Sequence, residues 1–212
     1  MKKLLLILAF VQSGLIAAQS QQDDLAFNLS ASALPVLNDY RLGAETSLRY
    51  YLTNEFSIGG KFQYTFNNYH HGFMYNTPRT IVHYLNISMP LQFDVVNKER
   101  FQLGLGFAPG ISLATLRDKT QAKEEEYYDD ETGITTVVST PVRLNRDAYF
   151  TLMPNVDVAV KLFDIEKESN TAFYITGNAG YQLTLGKGDF TKPADFRNYI
   201  VSLGFTIKGS SK

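Results

Sequence analysis

The sequence predicts an all-β fold: an eight-stranded antiparallel up-and-down transmembrane β-barrel with an extended extracellular hairpin between strands 5 and 6. Three observations predict it. Apolar and polar residues alternate over long segments, short and long connections alternate along the chain, and an export signal is followed by no apolar helix. Alternation gives a strand one apolar and one polar face. Without a spanning helix, a chain can cross a bilayer only as a closed barrel.

The first residues are typical of a secretory signal. Lys2 and Lys3 provide a positive start, residues 4–11 an apolar core, and residues 14–18 a small-residue cleavage region. The alternative, a membrane anchor, needs a longer apolar run of roughly 20 residues. We therefore expect a cleaved signal peptide at 1–18, an outer-membrane β-barrel domain at 19–212, and localisation in a Gram-negative outer membrane.

Composition narrows the function. The 212 residues include no cysteine, which excludes a disulfide framework and thiolate metal sites. Removing Lys2 and Lys3 leaves 18 basic and 21 acidic residues, a net charge of −3, which argues against nucleic-acid binding. No motif predicts a cofactor.

The alternation is clearest in residues 56–67. Phe62, Tyr64 and Phe66 fall on one face, whereas Lys61 and Gln63 fall on the other. Such a segment is predicted to be a strand with one apolar face. The same pattern predicts eight strands at 25–34, 41–52, 56–67, 80–95, 101–113, 148–162, 172–185 and 197–208.

The connections indicate the orientation of the barrel. Those around 53–55, 97–100 and 163–171 are short or modest, and those at 35–40, 67–79, 114–147 and 186–196 are mostly longer and more polar. Outer-membrane barrels have short turns at the periplasmic end and long loops at the cell surface. We therefore expect both termini at the periplasmic end.

Two segments resemble a known family. Residues 84–91 combine an apolar strand with Pro90, and residues 104–110 form a glycine-rich strand. In both, the chain resembles the PorT-like outer-membrane β-barrels of Bacteroidetes, of the eight-stranded OmpX/OmpA type. The resemblance implies an integral outer-membrane protein. PorT itself resembles a secretion-system component, and no residue of this chain singles out that role.

Six charged residues fall on the polar faces of the strands. The interior of an eight-stranded barrel is only wide enough to be filled by side chains, and buried charges there must pair. The register across the turn at 53–55 predicts Lys61 near Ser47, diagonal to Glu45 and Arg49. A structural salt-bridge plug and a gated proton or ion path are the two interpretations. The predicted lumen polar network is Glu45, Arg49, Lys61, Asp94, Asp157 and Lys161.

The segment 114–147 predicts a surface hairpin that turns near residues 130–133. Its acidic tip could bind a basic partner or Ca²⁺, although no EF-hand spacing is present; a solvated loop is the alternative. His70 and His71 lack the further ligands that a metal site needs, so no metal is predicted. The predicted extracellular interaction loop comprises Glu124, Glu125, Glu126, Tyr127, Tyr128, Asp129 and Asp130.

The sequence leaves three functions open. The first is a structural or interaction platform that uses its extracellular loops, with the lumen plugged by side chains. The alternatives are a porin-like small-solute or ion channel and a soluble periplasmic lipocalin-like binding barrel. The expected partners are outer-membrane lipid and, at the loops, another envelope protein or a surface ligand. Because no nucleophile motif or defined carboxylate pair is recognisable, the chain is predicted not to be an enzyme.

Overall fold

The computed structural model describes residues 21–130, 134–166 and 171–210. No helix in this part of the chain is long and apolar enough to cross a membrane. The predicted signal peptide, residues 1–18, lies outside the described residues. The elements are β1 (Asp24–Val36), β2 (Asp39–Tyr51), β3 (Phe56–Tyr69), β4 (Thr80–Ser88), β5 (Leu91–Asn97), β6 (Phe101–Asp129), β7 (Ile134–Glu166), β8 (Thr171–Leu185), the 3-10 helix η1 (Pro193–Phe196) and β9 (Asn198–Ser210).

The strands close into a ring. Strands that follow each other in the chain pair antiparallel, with the exception of β4 and β5, and β9 pairs with β1. Strands β4 and β5 both lie between β3 and β6, so together they form a single wall of the barrel. Proline has no N–H to donate to a ladder, and Pro90 lies at the break between them. The predicted eight-stranded barrel is confirmed, with the predicted strand 80–95 interrupted at residues 89–90.

The apolar face points outward and the polar face inward. Leu203 is 63 % exposed and Ile111 is 57 % exposed, whereas Gln63 and Ser112 are fully buried. Among the described residues, buried polar side chains outnumber buried apolar ones, which reverses the arrangement of a soluble protein. A lipocalin-like barrel would need the opposite arrangement, so this exterior is suited to lipid.

The apolar band has the height of a bilayer core. On β6, the outward residues from Phe101 to Leu113 are apolar, and the next two outward residues are Thr115 and Arg117. These 12 steps span roughly 40 Å of strand, or roughly 30 Å of height at the usual barrel tilt. A typical hydrocarbon core is about 30 Å thick.

The predicted surface hairpin is present as a continuation of two barrel strands. Beyond Ala114, which pairs with Asp147, β6 and β7 remain paired as far as Asp129 and Ile134, with register shifts at 116/117 and 118/122. Residues 131–133 of the predicted turn lie outside the described part of the chain.

The connection predicted to be longer at 35–40 is instead tight. Val36 pairs with Asp39, and the two residues between them, Leu37 and Asn38, have φ values of 53° and 67°. Two successive positive φ angles are typical of a two-residue hairpin turn whose twist matches the flanking strands. Residues on either side therefore belong to the ladder rather than to a loop.

Candidate functional site

A column of polar side chains occupies the upper lumen. Gln63 donates to Glu45 at 2.7 Å, and Asn86 donates to Gln63 at 3.0 Å. Asn86 also approaches Gln182 at 3.5 Å, and Gln182 donates to the Tyr84 hydroxyl at 2.7 Å. Each of these side chains points inward, because alternate residues of a strand face the same side and these residues lie on the polar side. The column thus links residues from four walls of the barrel.

Two ion pairs lie below this column. Lys61 Nζ is 3.8 Å from Glu45 Oε1, and both side chains are 5 % exposed. Lys61 pairs with Ser47 in the register between β2 and β3, as the sequence predicts. Arg49 Nη2 is 3.7 Å from Asp157 Oδ1, and its other terminal nitrogen contacts Gln92. The pairing leaves neither cation isolated in a low-dielectric interior.

Asp94 belongs to the lowest layer of the network. Its carboxylate accepts hydrogen bonds from Tyr51 at 3.0 Å and from Gln92 at 2.7 Å. Lys208 lies 4.2 Å from the Tyr51 ring centroid and donates to Gln102 at 3.2 Å. Lys208 is a sixth charge of this interior that the predicted network lacks. Alternation places it on the polar face, but its position at the end of a strand gives no sign that it is buried.

Lys161 lies apart from the other predicted network residues. Its ammonium group is 3.2 Å from Glu99 and 2.5 Å from Asp164. Glu99 belongs to the turn between β5 and β6, so this cluster lies at the turn end of the barrel. Lys161 therefore lies at a different height from the other five predicted residues, because parity fixes the face of a residue but not its height.

The side chains of the network border a small cavity. A cavity of about 30 Å³ lies beside Arg49 and Lys61 and is also lined by Asn155 and Asn178. That volume holds one or two water molecules. The amide oxygens of Asn155 and Asn178 are buried without a hydrogen-bond partner, so they are suitable partners for such water. A Cβ on Gly104 would overlap Gln92, which shows how closely the backbone approaches the side chains.

An aromatic cap lies at the loop end of the barrel. Phe196, at the end of η1, is fully buried. Its ring centroid lies 5.2 Å from that of Tyr84 and 5.6 Å from that of Tyr149. The carbonyl oxygen of Phe196 accepts a hydrogen bond from Gln182 at 2.9 Å. The polar column therefore runs directly into the underside of this cap, which we define as residues 186–197 with Tyr84 and Tyr149.

Asp147 fastens the cap to the barrel wall. Its buried carboxylate accepts hydrogen bonds from the backbone N–H groups of Asp189 at 2.8 Å, Phe190 at 3.2 Å and Thr191 at 2.9 Å, and from the Thr191 hydroxyl at 2.7 Å. Hydrogen bonds to a charged acceptor are stronger than neutral ones. Asp147 thus organises a loop that the sequence alone presents as an ordinary polar connection.

The connection at 70–79 is attached in a similar way. Asp118 lies above the apolar band and accepts hydrogen bonds from Thr77 at 2.8 Å and from the Thr120 hydroxyl at 2.6 Å. The Thr120 hydrogen bond holds the pKa of the Asp118 carboxyl below its usual value. The His71 ring lies in tilted contact with the rings of Tyr69 and Phe73. In residues 21–130, 134–166 and 171–210, no three His, Cys, Asp or Glu side chains are grouped to hold a metal.

The predicted interaction loop lies at the far end of the hairpin. Tyr127 is 56 % exposed and Tyr128 is 65 % exposed. Glu124, Glu126 and Asp130 are also exposed. The side chains of Glu125 and Asp129 lie outside what the structure describes. The tip therefore combines carboxylates with exposed aromatic rings.

The fold is similar to known outer-membrane barrels. Neisserial surface protein A is 10 % identical, with a TM-score of 0.49 over 88 % of this chain and 96 % of that chain. Ail of Yersinia pestis is 12 % identical, with a TM-score of 0.42 over 89 % and 98 %. The N-terminal β-barrel domain of Pseudomonas aeruginosa OprF is 12 % identical, with a TM-score of 0.41 over 88 % and 98 %. No family model and no curated protein matches the sequence. At these identities the likeness concerns the architecture alone.

One similar structure corrects a prediction. The outer-membrane protease OmpT of Escherichia coli is 11 % identical, with a TM-score of 0.39 over 92 % of this chain and 99 % of that chain. The prediction that this chain is not an enzyme, which was made from the lack of a recognisable nucleophile motif or carboxylate pair, is therefore corrected: one barrel of similar fold is a protease. Function has to be argued from the site rather than from the fold.

Proposed function

We propose that the protein is a closed outer-membrane barrel that presents the β6–β7 hairpin at the cell surface as an interaction platform. The observation that supports this proposal is the network of paired charges inside the barrel. A paired polar network occupies the lumen below an aromatic cap, and the cavity beside it measures only about 30 Å³. The network contains acids paired with bases, whereas a selectivity ring would carry one sign of charge.

The long hairpin supports the second half of the proposal. From Ala114 to Asp129 it extends by roughly 50 Å of strand at about 3.3 Å per residue. Residues 124–131 include six carboxylates and no Lys, Arg or His. Exposed aromatic rings beside a concentrated charge are suited to recognition, because rings supply contact area and charge supplies steering. The surface that fits this tip is basic.

Planar-bilayer recording tests the closed barrel. We expect purified protein to insert without steady openings, while a porin in the same bilayer conducts. Stable openings of the wild-type chain would instead support the small-solute or ion channel, which is the alternative function.

A photo-crosslinker at Tyr128 tests the platform. In intact cells we expect a discrete adduct with another envelope protein or surface ligand. The adduct should disappear when Glu124, Glu126 and Asp130 are replaced by their amides. The matched control replaces Glu55 and Glu99, which lie in turns at the opposite end. Loss of the adduct in the control, or its persistence in the neutralised tip, would contradict recognition by the tip.

Two finer proposals concern origin and export. Residues 1–18 are proposed to be removed as a signal peptide, which N-terminal sequencing of the mature protein checks.

Membership of the PorT-like group is supported by the residues that carry the resemblance. Pro90 interrupts a wall strand, and Gly104 leaves room for Gln92. Both features therefore have structural reasons to be retained in relatives.

A further inference from the structure

The outer surface of the barrel has a cavity that the lumen network does not involve. It measures about 300 Å³ and lies across β3, β4, β6 and β7. Leu85 and Leu113 provide its apolar part, and Arg117 and Arg146 provide its charged part. This volume is at the lower end of the range for small-molecule sites.

The position of the cavity coincides with the upper edge of the apolar band. Leu113 is the last residue of the apolar band on β6. Arg117 comes four residues later and lies on the same outward face. Arg146 pairs with Thr115 and comes directly before the apolar outward residues of β7. A molecule in this cavity would touch hydrocarbon at one end and the head-group region at the other.

The two arginines are available for a ligand. Among the described residues neither forms an ion pair. Arg146 donates to the Thr115 hydroxyl at 3.3 Å, and Arg117 approaches the carbonyl oxygen of Pro141 at 3.5 Å. The Nε of Arg117 is buried and has no hydrogen-bond partner. A buried N–H group of a cation that lacks a hydrogen-bond partner destabilises the protein. An anion that accepts this hydrogen bond would remove the desolvation penalty and add a charge-assisted hydrogen bond.

The surrounding charge is of one sign on the outward face. Arg143 pairs with Arg117 in the ladder, and Lys119 lies two residues further along β6. The acidic residues at the same height, Asp118 and Asp147, are buried at 2 % and 3 % exposure, where they bind loop segments. None of the residues lining the cavity within the described chain carries a carboxylate. The base of the hairpin is therefore basic outside, although its tip is acidic.

We propose that this cavity binds the phosphorylated head group of an outer-leaflet lipid, with Arg117 and Arg146 holding the phosphate and Leu85 and Leu113 contacting the first part of an acyl chain. The guanidinium fork matches phosphate geometry in two hydrogen bonds at once. The proposal is independent of the platform function, because it needs only a barrel in a bilayer. Bound lipid would also fix the base of the hairpin where β6 and β7 leave the membrane.

Lipid A in phosphatidylcholine vesicles is the probe, with the protein reconstituted in vesicles that contain it or lack it. We expect Arg117→Gln and Arg146→Gln each to weaken lipid A binding about tenfold, since each removes a charge-assisted contact. The matched control is Arg143→Gln, which removes the same charge from the same hairpin outside the cavity. It should change binding by less than about twofold if a built site rather than general attraction is responsible.

A second variant tests the apolar part without altering charge. Leu113→Trp should fill the cavity and weaken lipid A binding, while leaving far-UV circular dichroism unchanged. Inorganic phosphate should compete poorly, because it cannot use the apolar contacts. Binding that survives Arg117→Gln, an equal loss in Arg143→Gln, or competition by inorganic phosphate as effective as by lipid A would each overturn the proposed lipid site.

Discussion

Removing the charge of Glu45 should destabilise the barrel more than removing both charges of its ion pair. Glu45 accepts hydrogen bonds from Ser32 at 2.9 Å and Gln63 at 2.7 Å, and lies 3.8 Å from the Lys61 ammonium group. Breaking a buried pair by removing one partner costs about 3–5 kcal/mol, because the remaining charge stays buried without compensation. The adjoining cavity can supply water, so we expect Glu45→Gln to cost about 3 kcal/mol, the lower end of that range.

The double change of Glu45→Gln with Lys61→Met removes both charges while keeping the side-chain volumes. Replacing a whole buried pair is often nearly neutral, so the double variant should unfold within about 1.5 kcal/mol of the wild type. Urea titration in micelles measures the free energy of unfolding of both variants. Far-UV circular dichroism follows the unfolding, because the chain has no tryptophan whose fluorescence could report it. A coupling free energy below about 0.5 kcal/mol would refute the argument that the two charges depend on each other.

Three further predictions concern the wall, the hairpin and the cap. Leu203, 63 % exposed at the centre of the outward residues of β9, should tolerate Ala but lose about 2–4 kcal/mol as Leu203→Arg; equal losses would contradict a lipid-facing wall. Trypsin added to intact cells should cut the exposed hairpin at Lys123; cleavage confined to opened cells would invert the topology. Asp147→Asn should accelerate amide exchange at Thr191 about tenfold or more, since that N–H donates to the carboxylate; the control Asp189→Asn changes an exposed carboxylate in the same loop and should have little effect.

Local sequence patterns predicted the strands of the barrel and the ion pair between Lys61 and Glu45. Alternation fixes which face a residue occupies, and a short turn fixes the register between two adjacent strands. Those two facts are sufficient to place Lys61 opposite Ser47 and within reach of Glu45. The prediction succeeded because both strands of the pair are joined directly.

Contacts across the lumen could not be predicted in this way. Arg49 and Asp157 lie on β2 and β7, which are not neighbours in the ring. Their meeting depends on the tilt and stagger of all eight walls, which no local pattern specifies. For the same reason the sequence did not show that Lys161 pairs with Glu99 and Asp164. The basic cavity outside Leu113 likewise depends on how the register of β6 and β7 shifts after Leu116.

The burial of Phe196 in the cap could not be predicted from the sequence, because this residue lies in a segment without apolar periodicity and is nevertheless fully buried. Phe196 lies at the same end of the lumen as the column of Gln63, Asn86 and Gln182, so the cap and the column are the two candidate barriers to solutes. Asp147→Asn separates them, because it loosens the loop without touching the column. If the column is sufficient, exchange at Thr191 rises while planar bilayers remain silent. Openings that appear in Asp147→Asn alone would show that the cap is the seal, and that interior filling does not by itself close this barrel.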